Sequence, residues 1–315
     1  MIIILSLRRE ITMRKNKSDR NGLHLLFFLS LTFVLALFPP KVRGDLLSRP
    51  SPAIWQITSE NSTAYLLGSI SIGNDDFYPL CPKIETLFAE TTKLVVEVDL
   101  TTVNPEEVNL SILEQALYPG EDTIDQHLSG EEFALLEETL ARFGIPVNNL
   151  IKFRPWFLKI MVETLNYQIS GYLPEQGVDL YFLNKAGDKE IVGLETAAFQ
   201  ATLWAQFSAN TEKTAFVDTL TSDLESKARN LVAAWWSGDL KNLEKMIFQD
   251  LQKDPIYREI YEKVYFERNR KMAEQISELL ATSDTYFILI HAGHLVGDQS
   301  IISILQQQGF NVKLL

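Results

Sequence analysis

The sequence predicts an α/β protein: two β-α-β halves forming a central sheet, with a largely helical insertion between them. Three observations predict it. Ala64 to Ile70 (AYLLGSI) and Lys93 to Asp99 (KLVVEVD) are strand-like apolar runs, and the stretch between them puts Ile84, Leu87 and Phe88 on one helical face. At the other end, Thr285 to Ile290 (TYFILI) leads into a helical stretch over about 298–308, closed by Gly309, and then an extended segment at 311–315. Between the halves the pattern is mostly that of helices.

Taken in order, Ser129 with Glu132 forms a capping box for a helix carrying Phe133, Leu136, Leu140 and Phe143, closed by Gly144 and Pro146. Helices are then expected over 155–170, 176–185, 197–208, 212–237, 240–251 and 256–281, with one short strand at 190–194. No Gly/Ser tract, Pro-rich tract or charge block interrupts this middle, so residues 45–315 are expected to form one domain. Gly68 aligns with His291 and Ser71 with His294, which hints at an internal duplication.

Residues 23–38 form an almost wholly apolar run behind Arg8, Arg9, Arg14, Lys15, Lys17 and Arg20. Such a run is short for a membrane span and fits a signal peptide over 1–44, cut before Asp45; an uncleaved N-terminal anchor is the alternative. Either way the body is expected to be exported, periplasmic or secreted, with no membrane contact once the signal is cleaved. Removing those residues, which carry eight Lys/Arg and two Asp/Glu, takes the net charge from -12 to -18 over the remaining 271. That surface repels phosphate backbones, so nucleic acid is not an expected partner. Cys81 is the lone cysteine, so no intramolecular disulfide forms; it reads as a small buried residue.

In open α/β sheets ligands gather at the carboxyl ends of the strands, because loops and helix N-termini converge there. The polar residues of this chain fall on those ends. Ser71 follows AYLLGSI, Glu97 and Asp99 close LVVEVD, Glu195 follows EIVGL, and His291 and His294 follow TYFILI. After the signal segment three histidines remain, and two of them lie in that last loop. Imidazole and carboxylate from separate strand ends are the usual ligands of a zinc, manganese or cobalt ion with an open position for water. Ser71 lacks the Gly-x-Ser-x-Gly elbow of a serine nucleophile.

The stretch TAYLLGSISIGNDDFYPL, then LVVEVDL, FRPWF, GVDLYFLNKA, GLET, AAWWSGDL, ERNRKMAEQI and HAGHLVG, in that order from about Trp55 to Leu315, resembles the TraB/GumN family, also called TraB/PrgY/GumN and including the TIKI proteins. The resemblance implies a fold similar to the erythromycin esterase and ChaN-like proteins. It also implies a metal-dependent protease or a protein that shuts down peptide pheromones. The family's second Gly-x-x-His falls on 291–294, where His294 is kept and His291 replaces the glycine; the first falls on 68–71, where Gly68 is kept and Ser71 replaces the histidine. The family's acidic position is matched by Glu97, and its Gly-Leu-Glu-Thr by Gly193 to Thr196.

The expected roles follow from that match. Glu97 and His294 are metal ligands, water is the nucleophile, and His291 or Glu195 is the base. Arg154 binds a substrate carboxylate or holds Glu195, while Ser71, Asp179, Arg268 and Asn269 face the substrate. The blander readings are a turn cap for Glu97 and Asp99, an imidazole bonded to a loop carbonyl for His294, and solvated ion pairs for the arginines. Two functions are expected in parallel: a metal-dependent hydrolase acting on a peptide or small protein, and a catalytically inactive relative that binds such a partner in the same cleft.

Overall fold

The computed structural model of the protein describes residues 50–251 and 255–315; the segment expected to be a signal peptide lies outside the described residues. Six strands form one sheet: β1 (Ile54–Thr58), β2 (Thr63–Ser69), β3 (Lys93–Val96), β4 (Glu190–Gly193), β5 (Thr285–His291) and β6 (Asn311–Leu314), in the order β4-β3-β5-β2-β1-β6. β4, β3, β5 and β2 run parallel, and β1 pairs antiparallel with both β2 and β6.

The two expected halves are present, but they interleave. β2 leads through α1 (Pro82–Glu90) to β3, and the C-terminal strand β5 lies between them, paired to both. This brings the ends of β2 and β5 side by side, with Ser69 opposite His291, one step out from the sequence alignment of Gly68 with His291.

Alternation along the parallel strands explains why both faces are covered. Leu67, Leu94, Val96, Phe287 and Leu289 point to one face, against Ile84 and Phe88 of α1, Val178 and Phe182 of α5 (Val178–Lys185), and Trp235 of α8 (Leu224–Trp236). Leu66, Val95, Tyr286, Ile288 and Ile290 point to the other, against α11 (Glu267–Leu280) and α12 (Ile301–Gln307). A third core lies within the insertion. There α2 (Pro105–Ala116), α3 (Gly130–Ala141), α4 (Pro155–Ile169), α6 (Ala197–Thr202) and α7 (Ala209–Thr221) bury Ile112, Leu136, Leu140, Trp156, Leu158 and Phe216. α9 (Leu240–Phe248) and α10 (Pro255–Tyr261) complete the helices.

Three local expectations are corrected. The helix expected over 212–237 is two helices, because Asp223 leaves the helical conformation and its carboxylate accepts the Ser226 N–H at 3.0 Å, starting α8 afresh. β1 and α2 were not expected; α2 begins on an Asn104 cap followed by Pro105. The last helix is shorter than expected, starting from Ser300 as its cap. Cys81 is buried, as expected. Among the described residues no helix is long and apolar enough to cross a membrane.

Candidate active site

The carboxyl ends of β2, β3, β4 and β5 lie along one edge of the sheet, so Ser71, Glu97, Glu195, His291 and His294 all come to that edge from different parts of the chain. Over this edge lies a cavity of about 280 Å³. Ser71, Glu97, Asp179, Arg268, His291 and His294 line it from below, and Ile160, Glu163, Tyr167, Leu203 and Trp204 line it from the helical insertion.

Close packing builds the floor. A Cβ on Gly68 would meet the Ala292 Cβ at 3.1 Å, so the end of β2 and the loop after β5 are in near backbone contact. The Trp235 indole N–H donates to the Gly68 carbonyl at 2.7 Å and fixes the same point from the opposite side. The Val178 N–H donates to the Ile70 carbonyl at 3.0 Å, and a Cβ on Gly177 would strike the Ser71 backbone at 2.9 Å, so the start of α5 is seated on the Ser71 loop. Asp179 thereby enters the cavity, its Oδ1 accepting the Ser69 hydroxyl at 2.8 Å.

Glu97 sits at the centre of a charged network. Its Oε1 accepts the His291 backbone N–H at 2.7 Å; its Oε2 accepts Arg268 Nη2 at 2.7 Å and Gln200 Nε2 at 2.7 Å. Glu195 takes Arg268 Nε at 2.8 Å, Arg268 Nη2 at 2.8 Å and Gln200 Nε2 at 2.9 Å. Burial favours the neutral form of Glu97, but the Arg268 guanidinium foremost, together with the neighbouring imidazoles and the His291 backbone N–H, outweighs it and holds the carboxyl at about 2. Asp179 has no such partner. Burial, and then the negative charge of Glu97, push its carboxyl up to about 7.

The two imidazoles are set in opposite tautomers. His294 is 2% exposed, and its Nδ1 lies 2.6 Å from Asn269 Oδ1, while Asn269 Nδ2 donates to the Gln299 carbonyl at 2.7 Å. The amide oxygen therefore accepts from Nδ1–H, and Nε2 of His294 keeps its lone pair. His291 Nδ1 accepts the Gly293 N–H at 3.2 Å, so its ring proton is on Nε2. Burial, then the Arg268 charge, holds His294 well below 6.5, and burial likewise lowers His291, so both rings are neutral at neutral pH. The cavity thus contains one imidazole acceptor and one imidazole donor, with ring centroids 6.5 Å apart and nearly perpendicular.

His291 meets no backbone strain where the family pattern has glycine. Its φ of -51° and ψ of 131° are open to any residue. The tight neighbour is Gly293, where a Cβ would come within 2.7 Å of the Tyr265 ring. Tyr265 stands 5.2 Å from the His294 ring and comes from a π-helical turn, Glu262–Phe266, between α10 and α11. Such turns recur at functional sites because the extra residue re-aims the side chains that follow; here Arg268 and Asn269 follow within a turn.

Several expected roles are corrected by these partners. Arg154 is not among the cavity-lining residues and does not hold Glu195; its guanidinium pairs with the buried Glu212 and donates to the Gln115 carbonyl at 3.1 Å. Arg268 takes the place expected of it. Glu195 gives both oxygens to Arg268 and Gln200 and is not among the cavity-lining residues. Asn269 orients His294 instead of facing the substrate, and Asp99 caps its own turn by accepting Thr101 N–H at 2.9 Å. Gln200, Tyr167 and Tyr265 were missed. Gln200 had a weak signal, falling one turn after Glu195 behind the Thr196 cap.

The donor set does not fit the expected transition metal. A catalytic site of that kind takes about three protein ligands with free lone pairs. Glu97 Oε2 accepts two N–H groups and Oε1 one, which leaves a single lone pair on Oε1; His291 presents a proton at Nε2, and a Ser71 hydroxyl is a weak ligand at neutral pH. Among the described residues no group of three or more His, Cys, Asp or Glu is arranged to hold a metal ion. Glu97 and His294 together offer two lone pairs, one short of the roughly three ligands such a site takes.

Comparison with known proteins agrees with the motifs. The family model for the TraB/PrgY/gumN family matches residues 53–314. An uncharacterized protein of Treponema pallidum is 21% identical over 287 residues, covering 84% of this chain and 83% of the relative. Uncharacterized protein YbaP of Escherichia coli is 22% identical over 260 residues, covering 81% of this chain and 92% of YbaP. A metalloprotease TIKI homolog of Amphimedon queenslandica is 31% identical over 90 residues, 28% of this chain and 17% of that protein. No solved structure matches. A family model that spans nearly all the described residues makes this chain a member of the TraB/PrgY/gumN family.

Proposed function

We propose that the protein is an exported hydrolase of peptide or similar amide bonds in which His294 is the general base. The observation that carries this reading is the pair of neutral imidazoles, one with a lone pair and one with a proton, in one cavity. His294 Nε2 takes a proton from water, the water oxygen bonds to the carbonyl carbon, and the carbonyl oxygen, now negative, accepts the His291 Nε2–H. The imidazolium then returns its proton to the leaving nitrogen as the C–N bond breaks. Asn269 holds His294 in the tautomer this needs. The Glu97–Arg268–Glu195 network fixes the backbone of His291.

The lining carboxylates of Glu97, Glu163 and Asp179 outnumber the single guanidinium of Arg268, which supports an uncharged reacting group and no anionic one. Export rests on the apolar run at 23–38 behind its basic flank. Ser71, standing where the family pattern has an imidazole, favours one second reading: a protein that holds a peptide in this cavity without cutting it.

One experiment separates the two. The purified protein is incubated with a proteome-derived peptide library, and new termini are read by mass spectrometry. New termini that fall about 10²–10⁴-fold in His294→Gln support the hydrolase, that being the usual contribution of a general base. Peptides retained on the protein with no new termini would transfer the conclusion to binding.

A further inference from the structure

We infer that in this chain the Arg268 guanidinium stands where the charge of a divalent cation would otherwise sit, and that the cavity works without a bound metal. This goes beyond the hydrolase reading and does not depend on it.

The geometry is specific. Arg268 Nη2 lies between Glu97 Oε2, at 2.7 Å, and Glu195 Oε2, at 2.8 Å, so two carboxylates from neighbouring strand ends converge on one nitrogen. Gln200 Nε2 bridges the same two oxygens at 2.7 and 2.9 Å. The remaining oxygens are taken as well, Glu97 Oε1 by the His291 N–H at 2.7 Å and Glu195 Oε1 by Arg268 Nε at 2.8 Å. All four carboxylate oxygens therefore face donors.

Two buried carboxylates at one point require positive charge to stay ionised, and a metal or a guanidinium can each supply it. Arg268 is 7% exposed and supplies it here, with Nη1 satisfied by the Val264 carbonyl at 2.9 Å. A metal entering between the carboxylates would have to expel Arg268 and leave that guanidinium buried without a counter-charge. The π-helical turn ends two residues before it and the His294-binding Asn269 directly follows it, so the helix that carries the arginine is fixed on both sides. The histidines do not compensate: His294 offers one lone pair, and His291 offers a second only by giving up its bond from Gly293.

The test is a metal-binding measurement, which reads no catalysis. The full chain is dialysed against micromolar Zn²⁺, Mn²⁺ or Co²⁺ with excess Mg²⁺ to occupy surface carboxylates, and bound metal per chain is read by mass spectrometry. Wild type is expected to hold no more metal than His294→Ala. Arg268→Ala, which frees both carboxylates beside His294, is expected to gain one equivalent, checked for folding by circular dichroism. Arg268→Met, closer in volume, serves if the alanine variant does not fold. One equivalent in wild type that Glu97→Gln and His294→Ala release would overturn the inference. So would a folded Arg268 variant that gains nothing. If neither variant folds, the wild-type measurement decides alone.

Discussion

At the scale of single residues, Asp179 shows how burial at the site makes stability depend on pH. Its carboxyl is 7% exposed, bonded to Ser69 and near the Glu97 charge, and burial pushes it from the ordinary 3.8 up to about 7. The folded protein therefore keeps a proton that the unfolded chain releases, and stability from this residue falls as pH rises from 3.8 through about 7. His291 and His294 act the other way. Held neutral when folded, they cost stability as pH drops below 6.5, where the unfolded chain takes protons up. Asp179→Asn keeps an oxygen to accept the Ser69 hydroxyl and abolishes only the first effect. The variant is expected to exceed wild type by about 2–4 kcal/mol at about pH 8, with the gap closing toward about pH 4. Urea unfolding across that range measures it, and a gap constant with pH would refute the assignment.

At the scale of elements, the cavity depends on loops pinned by close backbone contacts. Gly73 and Leu173 exchange backbone hydrogen bonds at 3.0 and 2.7 Å, clamping the loop after β2 to the turn before α5. A Cβ on Gly73 would lie 2.0 Å from the Gln176 carbonyl oxygen, which is backbone and cannot rotate away. Gly73→Ala is expected to cost about 2–3 kcal/mol, the upper range for overpacking, and to spread Ser71 from Asp179; chemical denaturation reads the first. Such contacts also mark what the sequence could and could not convey. The apolar runs of β2, β3 and β5 were legible because strands buried on both faces read as continuous hydrophobic segments. β1 (IWQIT) mixes Gln56 and Thr58 into its five residues and so did not stand out as an apolar run, while α2 carried a readable Asn-Pro start that its weak apolar face obscured. Glu97, His291 and His294 were legible as strand-end residues. Their partners were not. Gln200 and Tyr265 reach the site only through helix packing, Arg268 was placed there by the family resemblance alone, and nothing local in the sequence says that Arg154 turns to Glu212 while Arg268 turns to Glu195.

At the scale of the whole molecule, the order of strands ties distant parts of the chain into one unit. β5, near the C-terminus, separates β2 from β3, so neither half can complete its sheet without the other. The helical insertion leaves the sheet after β3, adds β4 beside that strand on the way and returns in β5, and β3 is paired with both. Its core is distinct from the two that flank the sheet, yet it closes over the cavity through Ile160, Leu203 and Trp204. If the insertion were merely tethered, it would melt on its own. Held at both ends by adjacent strands and in contact with the sheet edge across the cavity, it is expected to unfold with the sheet in a single transition. Scanning calorimetry should then give a ratio of calorimetric to van't Hoff enthalpy of about one. A ratio well above one, with a low-temperature shoulder that a cavity-bound peptide removes, would instead mean that the insertion is a separate lid whose stability is set by what it covers.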